Sequence, residues 1–135
     1  DHYIANQQYI AKMQYMKAFI EIAPRGSEFS TAGKQLKAAE ASSLFGADYH
    51  LSFESARALF SELTPARIDL LERLRQCGPC SVYALAKTVG RNYSNVHTDI
   101  GKLEAHGLVR RTPEDAVFVP FESLEIHLDL LTIRN

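Results

Sequence analysis

The stretch from Ser81 to Thr112, SVYALAKTVGRNYSNVHTDIGKLEAHGLVRRT, constrains the fold most, because it carries helical spacing twice with only a short break between. The spacing predicts a short helix from about Ser81 to Val89, a turn through Gly90 to Asn92, and a longer helix from Tyr93 to His106 that Gly107 stops. With Val96 at zero and about 100° per residue, Ile100 and Leu103 fall within about 60° of it and form a narrow apolar stripe. Ser94, Thr98, Gly101 and Ala105 take the opposite side, flanked by His97 and Lys102. A helix anchored by aliphatic residues and projecting short hydrogen-bonding groups suits the floor of a DNA major groove. Taken alone, the same pattern also describes a solvated helix face.

Charge distribution bears on that choice. The net charge of −1 does not advertise a nucleic-acid partner, but the charge is unevenly spread. From Pro79 to Thr112, Lys87, Arg91, Lys102, Arg110 and Arg111 stand against Asp99 and Glu104, a local balance of +3. From Pro113 to Asn135, Arg134 stands against Glu114, Asp115, Glu122, Glu125 and Asp129, a balance of −4. The positive surplus coincides with the paired helices, where phosphate contact would need it.

The 135 residues suffice for one domain with a core, or a small domain with an arm, and 46% hydrophobic with 23% charged residues is a soluble globular composition. No run nears the roughly 18 apolar residues of a membrane span, and no charged-then-apolar leader is visible, so a cytoplasmic protein without a membrane partner is expected.

Asp1 to Ile22 reads as a helix, with Tyr9, Met13, Met16 and Ile20 spaced by four, three and four, and Ile10, Phe19 and Ile22 widening its apolar side. So much apolar surface needs a partner. A dimerisation arm through Tyr9, Met13, Met16 and Ile20 is the expectation, and packing onto its own domain is the alternative. Pro24 to Phe29 breaks this helix and resembles a protease-site and cloning-linker remnant, which puts in question whether the first 29 or so residues are native. Thr31 to Phe45 is a weaker, Ala-rich helical pattern ending at Gly46.

Tyr49 to Phe53 alternates large apolar with smaller polar residues and predicts a strand; Ser55 to Leu63 returns to helical spacing through Ala56, Leu59, Phe60 and Leu63. Thr64-Pro65 is a helix start, with Thr as N-cap and Pro at the first helical position. The helix from Pro65 to Gln76 is expected to bury Ile68, Leu71 and Leu74, with Leu70 as a further candidate, and Gly78-Pro79 ends it. After Gly107, Leu108 to Arg111 and Ala116 to Val119 flank the polar turn Thr112 to Asp115 and predict a hairpin. Following the longer helix, that hairpin reads as a wing, with Arg110 and Arg111 as candidates for phosphate contact and an acidic tip unsuited to a minor groove. Phe121 to Leu130 alternates Leu124, Ile126, Leu128 and Leu130 with Glu125, His127 and Asp129, a strand expected to pair with Tyr49 to Phe53, within the chain or across a dimer. The fold class expected is α+β, a winged helix-turn-helix with a β-hairpin wing plus an N-terminal helical arm. Residues 1–46 form the arm and linker, and 47–135 the DNA-binding domain.

Leu63-Thr64-Pro65-Ala66-Arg67, Leu70-Leu71, Gly78 to Val82, Leu85-Ala86, and above all Leu103-Glu104-Ala105-His106-Gly107-Leu108-Val109 resemble the MarR-like winged-helix transcriptional regulators. The resemblance covers about Tyr49 to Leu130 and implies a dimer acting on double-stranded operator DNA as a repressor. Carried over, the family's DNA contacts fall on Tyr93, Ser94, Asn95, His97, Thr98 and Lys102, with Asn92 at the N-cap. Arg91 joins Arg110 and Arg111 as further DNA-contact candidates. This helix departs from strongly basic relatives in having no Arg on its outer face, which implies modest affinity per half-site. A narrower resemblance is to antitoxin-type autorepressors, and it implies a protein toxin as a second partner.

Cys77-Gly78-Pro79-Cys80 matches the thioredoxin-type motif, whose chemistry requires a helix that starts at the first Cys. Here helical spacing precedes Cys77, so an interhelical turn is expected; a redox role for Cys77 and Cys80 in modulating DNA binding is the alternative. His50, His97, His106 and His127 follow no zinc-finger spacing, and neither a metal nor another cofactor is expected. No phosphate-cradling loop, nucleophile elbow or metalloprotease helix motif is present, so no enzyme activity is expected.

Overall fold

In the computed structural model of the chain, residues 15–23 and 47–131 are described. The predicted helix over Thr31 to Phe45, and Tyr9 and Met13 of the predicted arm, lie outside the described residues. The elements in chain order are β1 (Tyr15–Ile22), β2 (Tyr49–Phe53), α1 (Ala56–Glu62), α2 (Pro65–Cys77), α3 (Val82–Val89), α4 (Tyr93–Ala105), β3 (Arg110–Arg111), β4 (Val117–Phe118) and β5 (Phe121–His127). The chain is thus mixed α+β, and it groups into two units, one holding α2, α3, α4, β3 and β4, the other β1, β2, α1 and β5.

In the first unit α2, α3 and α4 each begin on a side-chain cap. The oxygens of Thr64, Ser81 and Asn92 accept hydrogen bonds from the backbone N–H of Arg67, Ala84 and Asn95 at 3.3, 3.0 and 3.4 Å. Each such cap satisfies an otherwise orphaned donor and contributes about 1 kcal/mol. The helices stop as sharply as they start. Gly90 closes α3 in the left-handed conformation, φ 69° and ψ 32°, and the Arg91 N–H reaches back to the Ala86 carbonyl at 3.1 Å. The chain can then turn and reach Asn92 within two residues, because glycine takes that conformation without a Cβ clash.

Leu70, Leu71 and Leu74 of α2, Val82, Leu85 and Ala86 of α3, and Val96, Ile100 and Leu103 of α4 are buried, together with Leu108, Val109, Val117 and Phe118. The predicted stripe on α4 is therefore its inward face. On α2 Leu71 and Leu74 are buried as expected and so is the further candidate Leu70, whereas Ile68 is only half-buried. The β3–β4 hairpin is antiparallel, pairing Arg110 with Phe118 and Arg111 with Val117, around a turn closed by the Thr112 N–H to the Ala116 carbonyl at 2.8 Å. Val117 also exchanges two backbone hydrogen bonds with Cys80, at 2.8 and 3.2 Å, which ties the α2–α3 connection to the hairpin.

The second unit corrects the N-terminal reading. Tyr15–Ile22 is a strand, not part of a helix, and it is the middle strand of a sheet ordered β2-β1-β5, parallel to both neighbours. The four-three-four spacing of Tyr9, Met13, Met16 and Ile20 suggested a helical face, yet Met16, Ala18, Ile20 and Ile22 also alternate with Tyr15, Lys17, Phe19 and Glu21. Local periodicity leaves the two readings open; pairing on both edges decides for the strand, and Ala18 and Ile20 are fully buried in the middle of the sheet. Within the chain, the expected pairing of β5 with β2 is corrected for the same reason, since β1 lies between them. β5 ends at His127, short of Leu130, and on α1 Leu59 is buried while Phe60 is 53% exposed, opposite to its place in the expected apolar spacing.

Two glycines give opposite expectations. Gly90 and Gly101 both have open space where a Cβ would sit, but only Gly90 has a positive φ. Gly90→Ala is expected to destabilise the protein by about 1 kcal/mol, and Gly101→Ala, in the exposed interior of α4, to stabilise it by about 0.5–1 kcal/mol, both measured by urea unfolding.

Candidate nucleic-acid interface

Because Val96, Ile100 and Leu103 face inward, the other side of α4 is turned to solvent. Ser94, Asn95, His97, Thr98, Gly101, Lys102 and Ala105 are all exposed there, as the helical spacing predicts. Asn92 is spent on the cap, so its side-chain oxygen is engaged with the first turn.

The arginines are placed differently. The Arg91 Nη2 donates to Asp99 Oδ2 at 2.7 Å, and the Arg67 Nε donates to Asp99 Oδ1 at 3.0 Å. Asp99 and Arg67 are each only 14% exposed, so this carboxylate is a tie among α2, α4 and the turn before α4 rather than a surface charge. Burial by itself pulls the Asp99 carboxyl upward, but the hydrogen bonds and charges of Arg91 and Arg67 outweigh it and hold the group below its ordinary value. Arg111 is likewise committed: its Nε and Nη2 donate to Glu104 on α4, the shorter bond at 3.0 Å, and its Nη1 donates to Asp115 at 2.9 Å. The Glu104 hydrogen bonds raise the Arg111 guanidinium further into its cationic range, against the smaller opposing effect of burial. Arg91 and Arg111 therefore reach a phosphate only by sharing or leaving carboxylates that already hold them. Arg110 is half-buried on β3.

Two residues absent from the expected contact set stand beside it. Tyr83 of α3 lies 6.4 Å, centroid to centroid, from Tyr93 of α4, which in turn lies 5.7 Å from the His97 ring. The Lys87 ammonium sits over the Tyr83 ring at 5.0 Å. The signal available in the sequence is the four-residue spacing of Tyr83 and Lys87 on the side opposite Leu85. What was not readable was that this flank meets α4.

The remaining predicted residues are dispersed. Met16 belongs to β1, and Ile20, at 0% exposure, does not present the free apolar surface that an arm would need. Cys77 is exposed at the C-terminal end of α2, and Cys80 is half-buried in the bridge to Val117; both are free thiols. Burial, and secondarily the neighbouring Cys77, push the Cys80 thiol up, opposite to the lowered value of a reactive thiolate. Among the described residues no group of three or more His, Cys, Asp and Glu is placed to hold a metal ion, and no helix is long and apolar enough to cross a membrane.

A protein-family model, HVO_A0114, matches residues 62–126, just under half of the chain. The match begins at the last residue of α1, takes in α2 through β4 without interruption, and ends inside β5. No curated protein matches the chain, and no solved structure does.

The Asp99 tie predicts a pH signature. A carboxylate whose folded-state pKa is lowered stabilises the fold above its unfolded-state value, and that contribution is lost as pH falls through the folded-state value. Asp99→Asn is expected to cost about 2 kcal/mol at pH 7. The deficit should begin to shrink below about pH 4, where the unfolded-state carboxyl starts to protonate, and go on shrinking until the folded-state group has protonated as well. Urea unfolding of both proteins from pH 7 to pH 3 checks this; a deficit that does not change with pH contradicts it.

Proposed function

We propose that this chain is a sequence-specific DNA-binding transcriptional regulator of the winged-helix type, a repressor acting as a dimer, with α4 in the major groove and the β3–β4 hairpin as the wing. The observation that carries the reading is the division of α4: three aliphatic residues fully buried on one side, and a continuous exposed side of Ser94, Asn95, Thr98 and Lys102 on the other. Short hydroxyl and amide side chains on an exposed helix can exchange hydrogen bonds with base edges, and Lys102 supplies a phosphate contact. Two helices joined by a tight glycine turn and followed directly by an antiparallel hairpin support this reading, in which the second helix docks in a groove while the hairpin flanks it. The motif resemblance to MarR-like regulators points the same way.

A second reading, an antitoxin that binds a partner protein and represses its own operon, draws on the end of the described chain. Ile126 and Leu130 are 36% and 58% exposed beside the acidic Glu122, Glu125 and Asp129, a surface suited to a protein partner. The two readings are compatible, because a repressor can hold a toxin through one surface and an operator through another.

The test is selection of bound duplexes from a random library, followed by binding measurements on the selected sequence. The double change Ser94→Ala, Thr98→Ala is expected to reduce discrimination against unrelated duplex by about tenfold or more. Lys102→Ala should weaken all sequences alike and reduce the salt slope by about 1. A folded double variant that binds the selected duplex as tightly and as selectively as the parent would sink the reading.

A further inference from the structure

The Lys87–Tyr83–Tyr93–His97 row runs across two helices. Tyr83 and Lys87 are four residues apart on α3, Tyr93 and His97 four apart on α4, and each pair shares one helix side. Tyr83 and Tyr93 are 59% and 48% exposed, so two large rings touch one another while much of each remains in water. Tyrosine tolerates such a position because it joins an apolar body to a phenol hydroxyl, which also suits it to wet, polar interfaces. The charges nearby divide in a telling way. Arg91 and Arg111 are held by Asp99, Glu104 and Asp115, whereas among the described residues Lys87 and Lys102 form no ion pair. The lysines of α3 and α4, one on each helix, are therefore open to an anionic partner.

We propose that Tyr83 and Lys87 extend the interface onto α3, with duplex DNA as the occupant; the inference rests on the DNA-binding reading above. Lys87 contacts the phosphate backbone. Tyr83 is a positioning residue: its ring supports Tyr93, which stands at the first position of α4 next to Ser94 and Asn95, and so sets how that turn meets the base edges. The placement follows from the row itself. A backbone running along α3 past Lys87 stays beside the exposed side of α4, since Tyr83 and Tyr93 join the two helix surfaces.

The experiment measures fluorescence anisotropy of labelled duplexes, one selected by the parent protein and one scrambled, across a series of salt concentrations. The proteins are the parent, Lys87→Gln, Tyr83→Phe and Tyr83→Ala, each checked for an unchanged thermal unfolding midpoint. Lys87→Gln is expected to weaken both duplexes equally and lower the salt slope by about 0.9, the value for one phosphate contact. Tyr83→Ala should lose about three- to tenfold in affinity for the selected duplex, as expected for a lost aromatic contact, with little change on the scrambled one. Tyr83→Phe, which keeps the ring, should retain the parent's discrimination. If the parent prefers its selected duplex but Tyr83→Ala discriminates equally well and Lys87→Gln keeps the parent's salt slope, the inference is overturned and the DNA-binding reading stands. A parent protein that prefers no duplex overturns both.

Discussion

The carboxylate of Asp99 is the point on which the helical unit depends. It lies on the flank of the buried stripe of α4 and accepts hydrogen bonds from Arg67 on α2 and from Arg91 in the turn before α4. Taking a carboxylate largely out of water costs several kcal/mol, and only close, hydrogen-bonded countercharges offset it. Two guanidinium groups from different segments do so here, which makes the tie directional as well as favourable. Aliphatic packing of Val96, Ile100 and Leu103 decides that α4 is buried on one side, but apolar contact is non-directional and tolerates some rotation of the helix. The Asp99 pairs restrict that rotation, and with it the set of residues that α4 presents outward.

The same economy of charge governs the rest of the unit. Arg111 joins the last turn of α4, through Glu104, to the turn of the β-hairpin, through Asp115, so side chains hold the hairpin to α4 while the Cys80–Val117 backbone bonds tie it to the α2–α3 connection. Arginine suits this use because its planar fork satisfies two carboxylates at once. The local positive surplus is therefore partly internal. What reaches solvent on α3 and α4 includes lysine, tyrosine, His97 and short polar side chains.

In the sheet unit the controlling constraint is non-local. A strand with a parallel partner on each edge has all its ladder hydrogen bonds made by segments remote in sequence, here Tyr49–Phe53 and Phe121–His127. Parallel pairs need long crossover connections, and β5 returns to β1 only after the chain has passed through α2 to β4. Tyr15–Ile22 is therefore a strand in spite of its helical spacing. Its residues satisfy two local periodicities, and nothing within the segment says which partners will be there.

What the amino-acid sequence determined by itself was everything set by neighbours a few residues away. Thr64-Pro65, Ser81 and Asn92 mark helix starts, Gly90 and Gly107 mark stops, and the three- and four-residue spacing of Val96, Ile100 and Leu103 marks the buried side of α4. These signals were legible because caps, turns and helix faces act within one or two turns of chain. The tertiary structure decided what depends on distant partners: the strand at Tyr15–Ile22, the order β2-β1-β5, the commitment of Arg91 and Arg111 to carboxylates, and the meeting of Tyr83 with Tyr93. A side chain's charge or ring can be read from its letter. Whether that charge is already spent, or that ring already faces another, is settled only when segments far apart in the chain come together.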